Sequence, residues 1–170
     1  MYELRKTTSQ DIMQVMAIID EGKSYLKSCN VNQWQNGYPN VEAIIADIDN
    51  GYGYVLTVAN RIVATVALSF DGEPWYDDIR SGQWLSNDDF LVIHRMAVKA
   101  EHRGSEVATE MLNQIAQLCL ANNVYSIKID THADNLSMQK LVAKNGFQHC
   151  GVVILGSEGE RLAYEKRLDK

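Results

Sequence analysis

The segment from Leu91 to Ala108 reads Leu-Val-Ile-His-Arg-Met-Ala-Val-Lys-Ala-Glu-His-Arg-Gly-Ser-Glu-Val-Ala. It has the pattern of a strand, a turn and the start of a helix. The first amides of a helix lack intrahelical acceptors and lie at the positive end of its dipole, so such a turn suits a pyrophosphate. Arg103 adds charge, and Gly104 lets backbone approach closely. Taken alone the signal is weak, because many strand-to-helix turns with Arg-Gly bind nothing. Four histidines are available to move a proton near neutral pH. His94 lies on the strand and His132 ends a later one, whereas His102 and His149 read as surface residues. Trp34, Gln35 and Tyr38 fall in a polar, aromatic stretch and are candidates for the wall of a substrate pocket; packing between two helices explains Trp34 equally well.

These residues need a scaffold. Tyr2–Lys6 reads as a strand. Ser9 reads as the cap of a helix carrying Ile12, Val15, Met16 and Ile19 on one face and ending before Cys29. Asn40 caps a second helix with Val41, Ile44, Ile45 and Ile48 on one face. Residues 54–59 and 62–70 form a hairpin turning at Asn60-Arg61. Residues 71–89 make a long loop, functional or mobile. A strand over 90–98 precedes a helix whose buried stripe is Val107, Met111, Ile115 and Leu118. A strand over 125–130, a helix from Asn135 to Lys144 closed by Asn145-Gly146, and strands over 147–155 and 161–168 complete the chain. The order β-α-α-β-β-β-α-β-α-β-β predicts an α/β fold, with a mixed, mostly antiparallel sheet and helices on both faces.

With 170 residues, 46% hydrophobic and 22% charged, the chain suits one globular domain over 1–170. Three scattered cysteines, Cys29, Cys119 and Cys150, make neither a disulfide framework nor a metal site, and imply free thiols in a reducing cytoplasm. Cys119 falls on an apolar helix stripe and is expected in the core. A net charge of −6 without a basic stripe gives no support to a nucleic-acid partner. No apolar run is long enough to span a bilayer, and the first residues lack a secretory pattern, so no membrane partner is expected.

The segment around Arg103 resembles the acetyl-coenzyme A loop of the GNAT N-acetyltransferases, Gln/Arg-x-x-Gly-x-Gly/Ala, with Arg103 in the first position and Ala108 in the last. The strand ending Met96-Ala97-Val98 resembles the family strand that pairs with the pantetheine arm. The run from Asn135 to Gly146-Phe147 resembles the second family motif. The element order is also that of the GNAT acyltransferase fold. A bacterial subgroup of small uncharacterised members carries Gln-Trp, Gly-Tyr-Pro, His-Arg and Asp-Thr-His-x-Asp-Asn. These are matched here by Gln33-Trp34, Gly37-Tyr38-Pro39, His94-Arg95 and Asp130 to Asn135. The resemblance implies acetyl transfer from acetyl-coenzyme A to an amine of a small-molecule acceptor, without a metal; a homodimer is common for such folds. It places the cofactor along Met96, Ala97, Val98, Arg103, Gly104, Ser105, Glu106, Val107, Ala108 and Asn135. It gives Met96 the amide that stabilises the oxyanion and His94 the role of base. Trp34, Gln35, Tyr38 and His132 are left for the acceptor.

Two positions depart from the family pattern. Glu106 stands where the loop has its central Gly. A carboxylate turned into the cradle would repel phosphate and weaken binding on the order of tens-fold; turned outward, it is an acidic first-turn residue favoured by the helix dipole. Val142 stands where many members carry a Tyr acid; Tyr164 and Tyr125, on strands, are candidate substitutes, though ordinary packing accounts for either. A catalytically silent binding module is therefore the competing expectation.

Overall fold

The computed structural model describes all residues from 1 to 170. Seven strands, β1 (Tyr2–Lys6), β2 (Gly53–Val58), β3 (Arg61–Ser69), β4 (Leu91–Val98), β5 (Ser126–Thr131), β6 (Gln148–Ile154) and β7 (Glu160–Arg167), and four helices, α1 (Ile12–Ser28), α2 (Val41–Asp49), α3 (Val107–Ala121) and α4 (Leu136–Lys144), follow in the expected order. The sheet order is β1-β2-β3-β4-β5-β7-β6. The β4–β5 pair is parallel and the pairs β1–β2, β2–β3, β5–β7 and β6–β7 are antiparallel, which is the mixed sheet that the element order predicts. The chain forms two compact units: the first comprises 1–68 and 94–115, the second 69–93 and 116–170.

In the first unit, β2 and β3 turn at Ala59 and Asn60, both in the left-handed region (φ 49° and 62°), as a two-residue hairpin matched to strand twist requires. The core joins Val15, Ile18 and Ile19 of α1 to Ile44, Val55, Ile62 and Ala97. Four local expectations need correction, the first being that the β2–β3 turn lies at Ala59-Asn60, one residue before the expected Asn60-Arg61. The first-turn cap is Thr8 rather than Ser9, because the Asp11 carboxylate reaches back to accept the Thr8 amide at 2.8 Å while it binds Arg5. Of the expected α2 stripe, only Ile44 is buried and Ile48 is packed on the core; Val41 and Ile45 lie exposed. The buried neighbour is instead Asp47, an acid on a face that its sequence makes look wholly apolar. On α3, Leu118 is half-buried, and the inward face also carries Leu112 and Ala116. One α3 side chain reaches β1: Gln114 accepts from the Leu4 amide at 2.8 Å and donates to the Tyr2 carbonyl at 2.9 Å.

In the second unit, Leu91–Ile93 pair with Ile127–Ile129. Residues 71–89 are packed and hydrogen-bonded against the unit's strands. Their short 3-10 turn, Pro74–Asp77, buries Tyr76 against Val92, Val153 and Ala163, and Arg80 exchanges two backbone hydrogen bonds with Val152 of β6 at 2.8 and 2.7 Å. The approach is close enough that a Cβ on Gly82 would stand 1.9 Å from the Cys150 carbonyl oxygen, so only glycine fits there. Alternate residues of β5 fasten the segment. Ser126 donates to the fully buried Glu165, whose carboxylate also takes the Leu85 amide and the Ser86 hydroxyl at 2.9 Å each. The Lys128 ammonium lies over the Trp84 and Phe90 rings, and Asp130 accepts the Tyr76 hydroxyl at 2.6 Å. Cys119 is buried, as expected from its helix stripe.

Candidate active site

The first unit holds the turn after β4. Ala100–His102 make one 3-10 turn, and the Ala100 amide donates to Glu21 of α1 at 3.1 Å. Gly104 takes φ 80° with nothing near its missing Cβ, so glycine is needed for backbone conformation rather than for space. Ser105 caps α3, its hydroxyl accepting the Val107 amide at 3.3 Å while donating to the His102 carbonyl. The amides of Arg103 and Ser105 are bonded within the turn. Those of Gly104, Glu106 and Ala108 have no acceptor in the protein. The Arg103 guanidinium lies 4.4 Å from the Tyr25 ring centroid, while Glu101 draws off Lys99 and His102 at 3.2 and 3.5 Å. Unbonded donors and an arginine thus share one helix start, an arrangement that receives anions.

Glu106 is exposed, and its carboxylate accepts the Tyr2 hydroxyl at 3.2 Å. Of the two orientations open from sequence, the structure has the outward one. Partial burial, then the Glu106 charge and this hydrogen bond, raise the Tyr2 pKa above the ordinary phenol value.

Upstream of the turn, Met96 and Ala97 are buried, and His94 and Val98 half-buried. Arg95, between His94 and Met96, has φ 51°, a left-handed backbone conformation uncommon for a residue other than glycine. Its guanidinium grips Asp47 with two bonds, Nε to Oδ2 at 2.8 Å and Nη2 to Oδ1 at 2.6 Å, and donates from Nη1 to the Tyr38 hydroxyl at 2.7 Å. Burial is the largest single influence and works against this charge, yet Asp47 and Tyr38 together outweigh it and the Arg95 pKa rises. A small cavity beside the pair is lined by Thr7, Asp47, Thr65 and Arg95 among apolar neighbours that include Val15, Ile44 and Val66, and the Thr7 hydroxyl there has no protein partner.

The 29–40 segment folds onto α1. Trp34 is half-buried, packed on the core and against Gly22, where a Cβ would stand 3.2 Å from the indole. Gln35 donates to the Lys23 carbonyl at 2.9 Å, and Lys23 to the Pro39 carbonyl at 2.5 Å. Trp34 and Tyr38 therefore share the first unit with His94, Met96 and the turn. Sequence reasoning named Arg95 only as part of the His94-Arg95 motif, gave it no site role, and missed Asp47 and Tyr2. The available signals were that motif and an acid on the apolar stripe of α2.

In the second unit, His132 is half-buried, and its Nδ1 accepts the Asp134 amide at 3.1 Å, which makes it a loop-capping side chain. Asn135 caps α4, accepting from Met138 at 3.1 Å. Val142 is completely buried. Tyr164 is buried beside His149, with ring centroids 5.4 Å apart, and burial raises its pKa.

Residues 19–147 match the model of the acetyltransferase (GNAT) family. A GNAT-family acetyltransferase of Streptococcus agalactiae is 33% identical, with 99% of this chain and 96% of that one covered and a TM-score of 0.92. The fold alone is shared with the PaiA N-acetyltransferase of Thermoplasma acidophilum in complex with coenzyme A, at 13% identity, 98% and 99% coverage and a TM-score of 0.72. Among curated proteins, the N-acetylaspartate synthetase of Xenopus tropicalis is 30% identical over 66 residues, 39% of this chain and only 24% of its own length.

Proposed function

Because this chain belongs to the GNAT acetyltransferase family, we propose that it transfers the acetyl group of acetyl-coenzyme A to a primary amine of a small-molecule acceptor by direct attack. The observation that carries the reading is the start of α3, where three unbonded amides and Arg103 face no carboxylate because Glu106 is turned to Tyr2. In this reading the turn holds the pyrophosphate, β4 from Met96 to Val98 holds the pantetheine arm, and the Met96 amide stabilises the developing oxyanion. His94 receives the amine proton, directly or through water. Trp34, Gln35 and Tyr38 border the acceptor. Holding both reactants in one orientation supplies most of the acceleration.

Calorimetric titration with acetyl-coenzyme A, beside a Glu106→Gly variant, tests the cofactor half. Micromolar binding by the native protein supports the reading. Binding by the variant alone overturns it. Release of free thiol across a panel of amines then tests transfer. Asn135→Ala and His132→Ala, read as KM for acetyl-coenzyme A and for the acceptor, test the roles proposed for those residues. The buried Val142 offers no acid for the departing thiolate and favours a second reading, a module that binds without turnover; cofactor binding with no thiol released by any amine would select it.

A further inference from the structure

Glu106, immediately before α3, and Glu110 and Gln114 within it follow one another at four-residue spacing and line up along one helix face. The Gln114 amide holds the start of β1 at both the Leu4 amide and the Tyr2 carbonyl, and donates to Glu110 at 3.0 Å. That clamp fixes the backbone from which the Tyr2 ring extends. The Tyr2 hydroxyl then meets the Glu106 carboxylate at 3.2 Å. The acid at the start of α3 is therefore tied to the first strand, on the face that also carries Glu110.

We propose that Tyr2 is a positioning residue for the cofactor: by binding the Glu106 carboxylate it keeps a negative charge out of the anion-binding turn, so the chain tolerates an acid there. The inference rests on the cofactor reading above. A released Glu106 can rotate toward the unbonded amides of Gly104, Glu106 and Ala108, which attract a carboxylate for the reason they attract phosphate. It then competes with the cofactor and repels it. The Tyr2 hydroxyl supplies the bond that opposes this rotation.

The test is a four-member cycle of the full-length protein: native, Tyr2→Phe, Glu106→Gln and the double variant, titrated calorimetrically with acetyl-coenzyme A at low and at high salt. Tyr2→Phe keeps the ring and removes only the hydroxyl. We expect it to bind about fivefold more weakly than native at low salt, a hydrogen bond to a charged group being the element lost, with the difference shrinking as salt screens the repulsion. Glu106→Gln should bind at least as tightly as native, and the double variant should match Glu106→Gln. That rescue separates positioning from simple damage to β1. Equal affinity of Tyr2→Phe and native overturns the inference. An equal loss on adding Tyr2→Phe to Glu106→Gln also overturns it, since the effect then does not pass through the carboxylate. If neither native nor Glu106→Gln binds, the cofactor reading itself falls and takes this inference with it.

Discussion

The Arg95 guanidinium spends one arm on the Tyr38 hydroxyl, at 2.7 Å, and two bonds on Asp47. Two segments 57 positions apart, Gly37-Tyr38-Pro39 and His94-Arg95, thus meet in one hydrogen bond. Arg95 makes these bonds from a left-handed backbone, and Asp47 supplies the counter-charge that lets a largely buried guanidinium exist.

Removing Asp47 should therefore be more damaging than removing Tyr38. Asp47→Ala strands a buried cation and is expected to cost about 3 kcal/mol, a fall in Tm of about 6–12 °C. Tyr38→Phe keeps the ion pair and should change Tm little, while raising the acceptor KM with little change in kcat. Thermal melts and steady-state kinetics of the two variants check both statements. A large Tm loss in Tyr38→Phe would contradict them.

Glu165 is the anchor of residues 71–89. Its carboxylate takes three donors with no solvent exposure, so Glu165→Ala leaves the Leu85 amide and two hydroxyls to find other partners. We expect a loss of about 3 kcal/mol in urea unfolding, together with new protease cleavage confined to residues 71–89. Unchanged cleavage would mean that Tyr76 and the Arg80 bridge hold the segment by themselves.

The Asp11 carboxyl is held below the usual carboxylate range, first by its bonds from Arg5 and then by the Thr8 amide, against the opposing effect of burial. A depressed folded pKa contributes stability that is present above the unfolded value, near 4, and is lost as pH falls through the folded one. Native protein should lose this contribution below about pH 4, and Asp11→Asn should have a flatter acid limb. Urea midpoints between pH 2 and pH 6 measure the difference.

Thiol reactivity should sort the three cysteines. Cys29 is exposed, whereas Cys119 and Cys150 are buried, and burial pushes the Cys119 thiol up to about 12. In native protein at pH 8, an aromatic disulfide reagent should modify one thiol quickly and the other two only with unfolding. Fast modification of two or more would show that the core opens on that timescale.

Much of the scaffold was legible in the sequence because its signals are local. Asn40 and Asn135 are capping residues read from type and position, and both accept the expected amides. The turn before α3 was legible for the same reason. What escaped was long-range. Nothing local says that Asp47, in the stripe with Ile44 and Ile48, serves an arginine 48 positions away. Nor does a tyrosine at position 2 advertise a partner 104 positions on. The cap at Thr8 was missed by one residue because Asp11 has two partners, and one of them, Arg5, lies in the preceding strand.

The two outermost strands, β1 and β6, carry a further consequence. An open strand edge invites another chain to add to it. Gln114 fills the place of such a visitor on β1 by giving and taking one main-chain bond, and Arg80 does so on β6 with a two-bond bridge at Val152. Sheet extension between copies would have to evict a glutamine on one side or a docked loop on the other. Any self-association of this protein is therefore expected to proceed through side-chain surfaces, and fibre-like stacking should stay rare until one of those two plugs is mutated away.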